Sequence, residues 1–419
     1  MGTIRRRAVI AAGAGAVLLP GSRFAPFSVA QAAEPIRLGL VTPLSGPQQD
    51  IGSYVKLGAE IAVAQINADG GIAGRPVQLE ERDDKISPAV ATTMTRELLG
   101  MGINLQLGGI GSGPALALGP VMAQGGGIHL TCGAGSDKIN HQDYNEHIFR
   151  TGIGPVGPGH ALALLAAQRF PTVLKWGGII PDAEFGRTTW AVFVDGLLTY
   201  YPQVTGKKPE ILDPVLTPYG GSDMRSQINA AMRMNVEGLY TSVYGGDAVT
   251  MMQQARPFNL FGRAKCVIDV ANDLIVAQAL KTQTAPYWTG THWNHEACAA
   301  IPMSERLYKD YVAKTGRTEP LGWLGEGHTA VYAYKAAIEK ANSTETKPVI
   351  AALKGLTWDS VTGSRFLRPQ DNQSVSPLIL INVVPAQDAQ GYKVAETKIT
   401  PGADMIEPPT PGEALKLKT

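Results

Sequence analysis

The fold of this chain is decided by residues 36–84, IRLGLVTPLSGPQQDIGSYVKLGAEIAVAQINADGGIAGRPVQLEERDD. Residues 36–41 form an apolar run that is too short for a helix and predicts a buried parallel strand. From Tyr54 the apolar residues recur at helical spacing, and the Gly-Gly pair at 70–71 is typical of a helix end. Alternation at 77–79 predicts a second strand. A parallel strand pair joined by a helix is the seed of an open α/β sheet, whose ligands bind beyond the carboxyl ends of its strands.

The loop after the first strand therefore lies where such a sheet binds its ligands. A polar loop is predicted from Gly46 to Gly52, and the whole segment from Leu44 to Gly52 follows the carboxyl end of the strand. Ile51 is the candidate ligand contact within it.

An ordered set of motifs runs through residues 42–84, namely Thr42-Pro43-Leu44-Ser45-Gly46-Pro47, Gly52, Gly58-Ala59, Ile66-Asn67, Gly70-Gly71-Ile72, Gly74 and Asp83-Asp84. This set resembles the N-terminal signature of the branched-chain amino acid (Leu/Ile/Val-binding) type of periplasmic solute-binding protein, which serves ABC importers. The resemblance implies an α/β fold of two doubly wound α/β lobes joined by three crossover strands, the type I periplasmic-binding-protein-like fold. The expected N-terminal lobe comprises residues 34–152 plus 289–373, and the expected C-terminal lobe comprises residues 153–288 plus 374–419.

Residues 1–33 predict an export signal peptide of the twin-arginine type. Arg5-Arg6-Arg7 precedes an apolar stretch, and Ala30-Gln31-Ala32 offers a small-x-small cleavage site. A membrane anchor needs about 20 apolar residues, and Pro20 interrupts this run early. We therefore expect a soluble protein exported to the periplasm.

Composition narrows the function further. The chain has 419 residues, more than one hydrophobic core usually organises, so two domains are expected. Its 37 basic and 36 acidic residues nearly balance, which gives no indication of nucleic-acid binding. Cys132, Cys266 and Cys298 form an odd, widely spaced set whose pairing the spacing does not settle, and buried thiols are the default expectation.

Two glycine-rich segments, at residues 108–114 and 132–137, follow predicted strands and precede predicted helices. A helix N-terminus offers unpaired N–H groups and partial positive charge, which attract carboxylates, and Ser112 and Ser136 add hydroxyl groups. The alternative is that both serines only cap helices. A dinucleotide-binding loop is a weaker alternative, because the first segment reads G-x-G-x-G rather than G-x-G-x-x-G.

The resemblance implies that these two loops hold the α-carboxylate of an amino acid. On this basis the candidate ligand-binding residues of the two loops are Ser112, Gly113, Gly133, Ala134 and Ser136. The chain departs from the family pattern at Gly135, where a threonine is usual.

In the second lobe the resemblance assigns ligand contacts to two aromatic residues and one acid. Phe185 matches an aromatic residue that covers the ligand, although a core aromatic is equally compatible, and Tyr244 matches a second aromatic contact. Asp269 and Asp273 are the two carboxylates available for the ligand ammonium, and the sequence does not choose between them. Asp273 can equally cap a helix. If neither carboxylate faces the cleft, we expect a ligand without an amine.

The segment His292-Trp293-Asn294-His295-Glu296-Ala297-Cys298 invites a zinc interpretation, but its spacing matches no common zinc signature. A solvated loop is the preferred alternative, and no metal or other cofactor is predicted. Trp288, His292 and Trp293 are further candidates for the cleft wall, where aromatic side chains suit an apolar or aromatic ligand.

Taken together, the sequence predicts a periplasmic substrate-binding component of an ABC importer that closes by a hinge on a small molecule. An apolar or branched-chain amino acid is the expected solute, with a small aromatic or aliphatic carboxylate or amide as the alternative. A monomer and a membrane permease partner are expected. No nucleophile–base constellation indicates an enzyme, and a ligand-sensing regulator of the same fold is a remoter alternative.

Overall fold

The computed structural model describes residues 34–418, so the predicted signal peptide lies outside the described residues. A first sheet has five parallel strands in the order β2-β1-β3-β4-β5. Its strands are β1 (Ile36–Thr42), β2 (Val77–Asp83), β3 (Leu105–Gly108), β4 (Ile128–Thr131) and β5 (Ile148–Arg150). The connecting helices are α1 (Gln49–Ala68), α2 (Pro88–Gly100) and α3 (Ser112–Gly125). The reversal of strand order at β1 and β3 places the loops after these strands where doubly wound sheets bind ligands.

A second sheet follows along the chain. Its parallel part contains β6 (Lys175–Pro181), β7 (Glu210–Ile211), β8 (Val215–Thr217), β9 (Gly238–Thr241), β10 (Cys266–Asp269) and β11 (Tyr287–Thr291). The helices around this part are α4 (Val156–Arg169), α5 (Glu184–Thr205), α6 (Arg225–Met234), α7 (Gly245–Ala255), α8 (Leu260–Arg263) and α9 (Ile275–Leu280).

The remaining chain adds helices, a small third sheet and two further strands of the second sheet. It contains α10 (Pro302–Thr315), α11 (Trp323–Ala341), α12 (Thr346–Leu353), a small sheet of β12 (Thr357–Ser360), β13 (Gly363–Leu367) and β14 (Ser374–Val375), and then β15 (Leu378–Pro385) and β16 (Tyr392–Thr400). β15 pairs antiparallel with β11, and β16 pairs antiparallel with β15, so the second sheet runs β16-β15-β11-β10-β9-β6-β7 with β8 on β6.

Helix α11 packs directly against α1 beside the first sheet. A Cβ at Gly58 would lie 1.9 Å from the Leu324 carbonyl oxygen, and a Cβ at Gly327 would lie 1.9 Å from the Val55 carbonyl oxygen. Only glycine permits this approach of two helix backbones. The close crossing brings the N-terminal turn of α11 to the edge where β3 and β4 end.

The structure corrects one sequence-based expectation. The loop predicted from Gly46 to Gly52 is shorter, because α1 begins at Gln49. The Pro-rich tail from Pro401 makes specific contacts: Gly412 N donates to the His141 carbonyl oxygen at 2.7 Å, and Lys418 N donates to Asp195 Oδ1 at 2.7 Å. Polar and Pro-rich composition concealed these contacts, since they involve residues distant in sequence.

Two further findings concern the described residues. Within 34–418 no helix is both long and apolar enough to cross a bilayer. The three cysteine thiols are free and buried, and burial raises the pKa of each thiol above its ordinary value. Thiols held in the protonated form by burial are poor nucleophiles.

Candidate functional site

A cleft of about 930 Å³, open solvent at its mouth included, lies between loops of the two sheets. The loops that follow β3 and β4 form one wall, and the loops that follow β6, β9, β10 and β11 contribute to the other. Of the ten candidate ligand-binding residues, five line the cleft: Ile51, Ser112, Gly133, Phe185 and Tyr244. The lining does not include the other five: Gly113, Ala134, Ser136, Asp269 and Asp273.

The N-terminus of α3 supplies the most polar part of the first wall. Gly111 is the N-cap and has no side chain to satisfy the first amides, and Ser112 is the first helical residue. Ser112 is only 4% exposed, and its hydroxyl has no hydrogen-bond partner within residues 34–418. An unpaired hydroxyl beside the positive end of a helix can donate to a carboxylate oxygen. Gly113 faces Pro88 instead, with an added Cβ 3.3 Å from its ring.

In the second glycine-rich loop, Gly133 lines the cleft and Ser136 makes contacts within the protein. Trp323 packs against Gly133, so that a Cβ at residue 133 would lie 2.1 Å from the indole. Ser136 is fully buried and its hydroxyl is already engaged: it accepts from Lys138 N at 3.3 Å and donates to Glu184 Oε1 at 3.1 Å. The hydroxyl of Ser136 is therefore used within the protein.

Aromatic rings form the opposite wall. The rings of Phe185 and Tyr244 meet edge to face, with centroids 5.2 Å apart. A Cβ added at Gly135 would lie 2.7 Å from two atoms of the Phe185 ring. The absence of a side chain at 135, which departs from the family pattern, thus makes room for the phenyl ring, since real Cβ contacts essentially never come that close.

Both candidate acids for an ammonium contact are turned into the protein. Asp269 accepts from Ala271 N at 2.8 Å, from Asn272 N at 3.1 Å and from the Asn272 amide at 2.8 Å. Asp273 accepts from Gly322 N, which crosses from the N-terminus of α11. Burial raises the pKa of Asp269 to about 6 and that of Asp273 to about 7. Within residues 34–418, no Asp or Glu side chain lines the cleft.

Contacts across the cleft hold its two walls together. Lys138 Nζ lies 3.1 Å from Glu184 Oε1, and the Thr188 hydroxyl donates to Asp137 Oδ1 at 3.1 Å. At the other side, Gly246 N donates to the carbonyl oxygen of Pro47 at 3.0 Å. These bonds join loops of the first sheet to α5 and α7 of the second, so the described arrangement is a closed one.

Comparison with known proteins is consistent with this geometry. A family model described as "Periplasmic binding protein" matches residues 35–390. The Leu/Ile/Val-binding protein BraC3 of Rhizobium johnstonii is 37% identical over 348 residues, covering 81% of this chain and 88% of that protein. The chain belongs to the periplasmic binding protein family.

Solved structures show the same fold for this family member. A solute-binding protein of an ABC transporter from Rhodopseudomonas palustris BisB5, in complex with 3,4-dihydroxybenzoic acid, has a TM-score of 0.73 at 19% identity, covering 88% of this chain and 98% of that one. The leucine-, isoleucine-, valine-, threonine- and alanine-binding protein from Brucella ovis, in its closed conformation, has a TM-score of 0.77 at 18% identity, covering 92% and 100%. At these identities the likeness establishes the type I periplasmic-binding fold.

This periplasmic binding protein also places in the cleft a residue, Trp323, that the sequence did not assign to it. Trp323, at the start of α11, lines the cleft, and its ring centroid lies 4.0 Å from that of His292. His292 is a sequence-predicted candidate for the cleft wall, together with Trp288 and Trp293, which do not line it. No local signal indicates Trp323, whose place depends on the close packing of two helices far apart in sequence.

The possible zinc site is not formed. No group of three or more His, Cys, Asp or Glu side chains within the described residues could hold a metal ion. His295 stacks on the ring of Tyr308 with centroids 4.0 Å apart, and Cys298 is buried in the core around α10. His292 alone of the three reaches the cleft.

Proposed function

We propose that this protein is the substrate-binding component of an ABC importer, and that it captures a small apolar monocarboxylate lacking an ammonium group, such as an aromatic acid. The carrying observation is the combination of an unpaired, buried Ser112 hydroxyl at the N-terminus of α3 with a lining free of Asp and Glu among the described residues. Helix N-termini favour carboxylates, whereas a buried ammonium without an anionic partner is strongly disfavoured.

The aromatic wall supports an aromatic or branched apolar body for the solute. Phe185, Tyr244 and Trp323 present ring faces and edges to the cleft, and rings pack well against planar or branched apolar groups. The related protein from Rhodopseudomonas palustris holds 3,4-dihydroxybenzoic acid, which has such an aromatic body and a carboxylate.

Solute capture proceeds by closure of two lobes about a hinge. The proposed lobes are residues 34–152 plus 289–373, which contain the first sheet, and residues 153–288 plus 374–419, which contain the second sheet except for the last three residues of β11. The solute stabilises the shut arrangement because only there does it contact both walls. We further propose export by the segment 1–33 to the periplasm, action as a monomer and recognition of the shut form by a membrane permease.

A branched-chain amino acid is the second candidate solute. The observation that favours it is the 37% identity to a Leu/Ile/Val-binding protein over most of both chains. Binding of its ammonium would require acceptors other than Asp269 and Asp273 as they are placed here, such as backbone carbonyl groups or the phenolic oxygen of Tyr244.

Two matched pairs of probes test the proposal by thermal shift and calorimetry. Benzoate against benzamide tests the carboxylate, and 4-methylpentanoate against L-leucine tests the ammonium, since these two share a side-chain skeleton. We expect stabilisation by benzoate and 4-methylpentanoate and little by benzamide or leucine. A probe at 100 times its Kd stabilises by about 2.7 kcal/mol, which is readily measured. Tighter binding of leucine than of 4-methylpentanoate would refute the monocarboxylate and establish the amino acid.

A further inference from the structure

His292 differs chemically from the rest of the cleft wall. Within the described part of the chain it is the one histidine in the lining, and no Lys, Arg, Asp or Glu side chain accompanies it there. Its side chain is 18% exposed. The imidazole packs against the indole of Trp323, with ring centroids 4.0 Å apart and planes inclined by 42°.

Behind the cleft, the imidazole is anchored by a buried ion pair. His292 Nδ1 lies 3.2 Å from Glu326 Oε1, and Glu326 is fully buried. Arg365 donates to both oxygens of that carboxylate at 3.1 Å and also to the Thr151 carbonyl oxygen at 2.7 Å. Burial alone would raise the pKa of Glu326, but Arg365 and His292 hold that pKa below its ordinary value.

This anchoring settles which ring nitrogen faces the solute. An ionised carboxylate only accepts hydrogen bonds, so Nδ1 of His292 carries a proton and donates a hydrogen bond to Glu326. Nε2 is then the nitrogen left for the cleft. In the neutral ring Nε2 can only accept, and in the protonated ring it donates.

The surrounding charges favour protonation when an anion is bound. Glu326 and Arg365 cancel each other, so a proton on His292 adds a positive charge beside the cleft. Asp273 faces the imidazole from the loop before α9, and its carboxyl accepts from Gly322 N. A bound carboxylate supplies the nearby negative charge that makes the imidazolium favourable, which a neutral solute does not.

We propose that His292 is a specificity-determining residue that takes up a proton from solvent at Nε2 when a carboxylate solute binds, keeps that proton, and donates a hydrogen bond from Nε2–H to an oxygen of the solute. The inference deepens the proposed function and rests on it. His292 would distinguish anionic solutes from their neutral amides, because binding of an anion is coupled to the uptake of one proton. The affinity for an anionic solute should therefore fall as the pH rises.

Calorimetry with benzoate, in buffers of low and high ionisation enthalpy, tests the linkage on the unmodified protein. A carboxylate stays ionised above pH 6, so any dependence there belongs to the protein. We expect proton uptake approaching one per benzoate, and an affinity that falls by up to about tenfold per pH unit as the pH rises above neutral. Benzamide serves as the neutral control.

Two variants test whether the proton taken up on binding is held by His292 or by Asp273. His292→Asn keeps a donor for Glu326 and removes the titration, so we expect it to bind benzoate about 10- to 100-fold more weakly at pH 6 and without pH dependence. Asp273→Asn keeps an acceptor for Gly322 N, and Asn tolerates the positive φ of 51° at this position. In Asp273→Asn the pH dependence should persist.

Each outcome decides the matter. Binding of benzoate that is independent of pH in the unmodified protein refutes the inference and leaves the proposed function standing. Persistence of the pH dependence in His292→Asn, or its loss only in Asp273→Asn, also refutes it. If benzoate, 4-methylpentanoate and L-leucine all fail to bind at every pH, the proposed function fails and this inference fails with it.

Discussion

Replacing Ser112 with alanine is expected to weaken solute binding without weakening the fold. The hydroxyl is 4% exposed at the residue level and unpaired within the described residues. A buried polar group left without a partner costs about 1–3 kcal/mol. Removing the oxygen therefore takes away a penalty in the unliganded protein, so its free energy of unfolding should stay unchanged or rise.

The effect on affinity has the opposite sign. In the complex the hydroxyl donates to a carboxylate, and a hydrogen bond to a charged group contributes about 1.5–3 kcal/mol. At 1.4 kcal/mol per factor of ten, Ser112→Ala should raise the Kd for benzoate roughly 10- to 140-fold. The helix N-terminus remains, so some affinity for the carboxylate is retained.

A second serine on the neighbouring helix gives the matched control. The Ser87 hydroxyl caps α2, accepting from Val90 N at 3.5 Å, and it lies outside the cleft lining. Ser87→Ala should lower the free energy of unfolding by about 1 kcal/mol, as loss of an N-cap does, with no change in Kd.

Urea denaturation without solute and calorimetry with benzoate measure the two quantities for both variants. The reasoning predicts a crossed pattern, in which Ser112→Ala changes affinity alone and Ser87→Ala changes stability alone. If Ser112→Ala binds benzoate as tightly as the unmodified protein, the hydroxyl does not contact the solute, and the carboxylate site proposed at α3 is wrong.

Three other substitutions test the aromatic wall and the buried ion pair. Tyr244→Ala removes a ring from the wall and should weaken benzoate binding at least about tenfold by calorimetry, with an unchanged circular dichroism spectrum. Gly135→Thr pushes on the phenyl ring 2.7 Å away, so X-ray scattering should show a more open protein, and adding Phe185→Ala should restore closure. Arg365→Met leaves Glu326 buried without its cation and should cost about 3–5 kcal/mol at pH 7. That loss should shrink as the pH is lowered in urea denaturation, because protonation of Glu326 removes the uncompensated charge. A pH-independent loss would contradict this reason.

Local signals in the sequence predicted the elements that depend on nearby residues. Ser87 and Pro88 indicated the start of α2, which begins at Pro88 with the Ser87 hydroxyl as its cap. The apolar run at residues 36–41 indicated β1, which spans Ile36–Thr42. Ser112 could be placed at a helix N-terminus because a glycine-rich turn follows a short apolar strand.

Other parts of the site could not be read from the sequence, because distant contacts decide them. The sequence offered Asp269 and Asp273 as the two candidate carboxylates but could not give the direction of their side chains. Asn272 and the Gly322 amide satisfy them from inside, so they turn away from the cleft. Trp323 enters the wall only because Gly58 and Gly327 let two helices touch.

The departure at Gly135 and the placement of the acids have a common consequence for the solute. Phe185 occupies the space that a side chain at 135 would fill, so an aromatic edge stands where a threonine hydroxyl would otherwise offer a hydrogen bond. With Asp269 and Asp273 also turned inward, an ammonium group that entered the cleft would lose hydration and would meet no carboxylate side chain among the described residues that line it. In the proposed complex, a carboxylate would contact the α3 N-terminus, Ser112 and the His292 imidazole instead. We therefore propose that the cleft selects on the sign of the solute's charge before it selects on the shape of its apolar body.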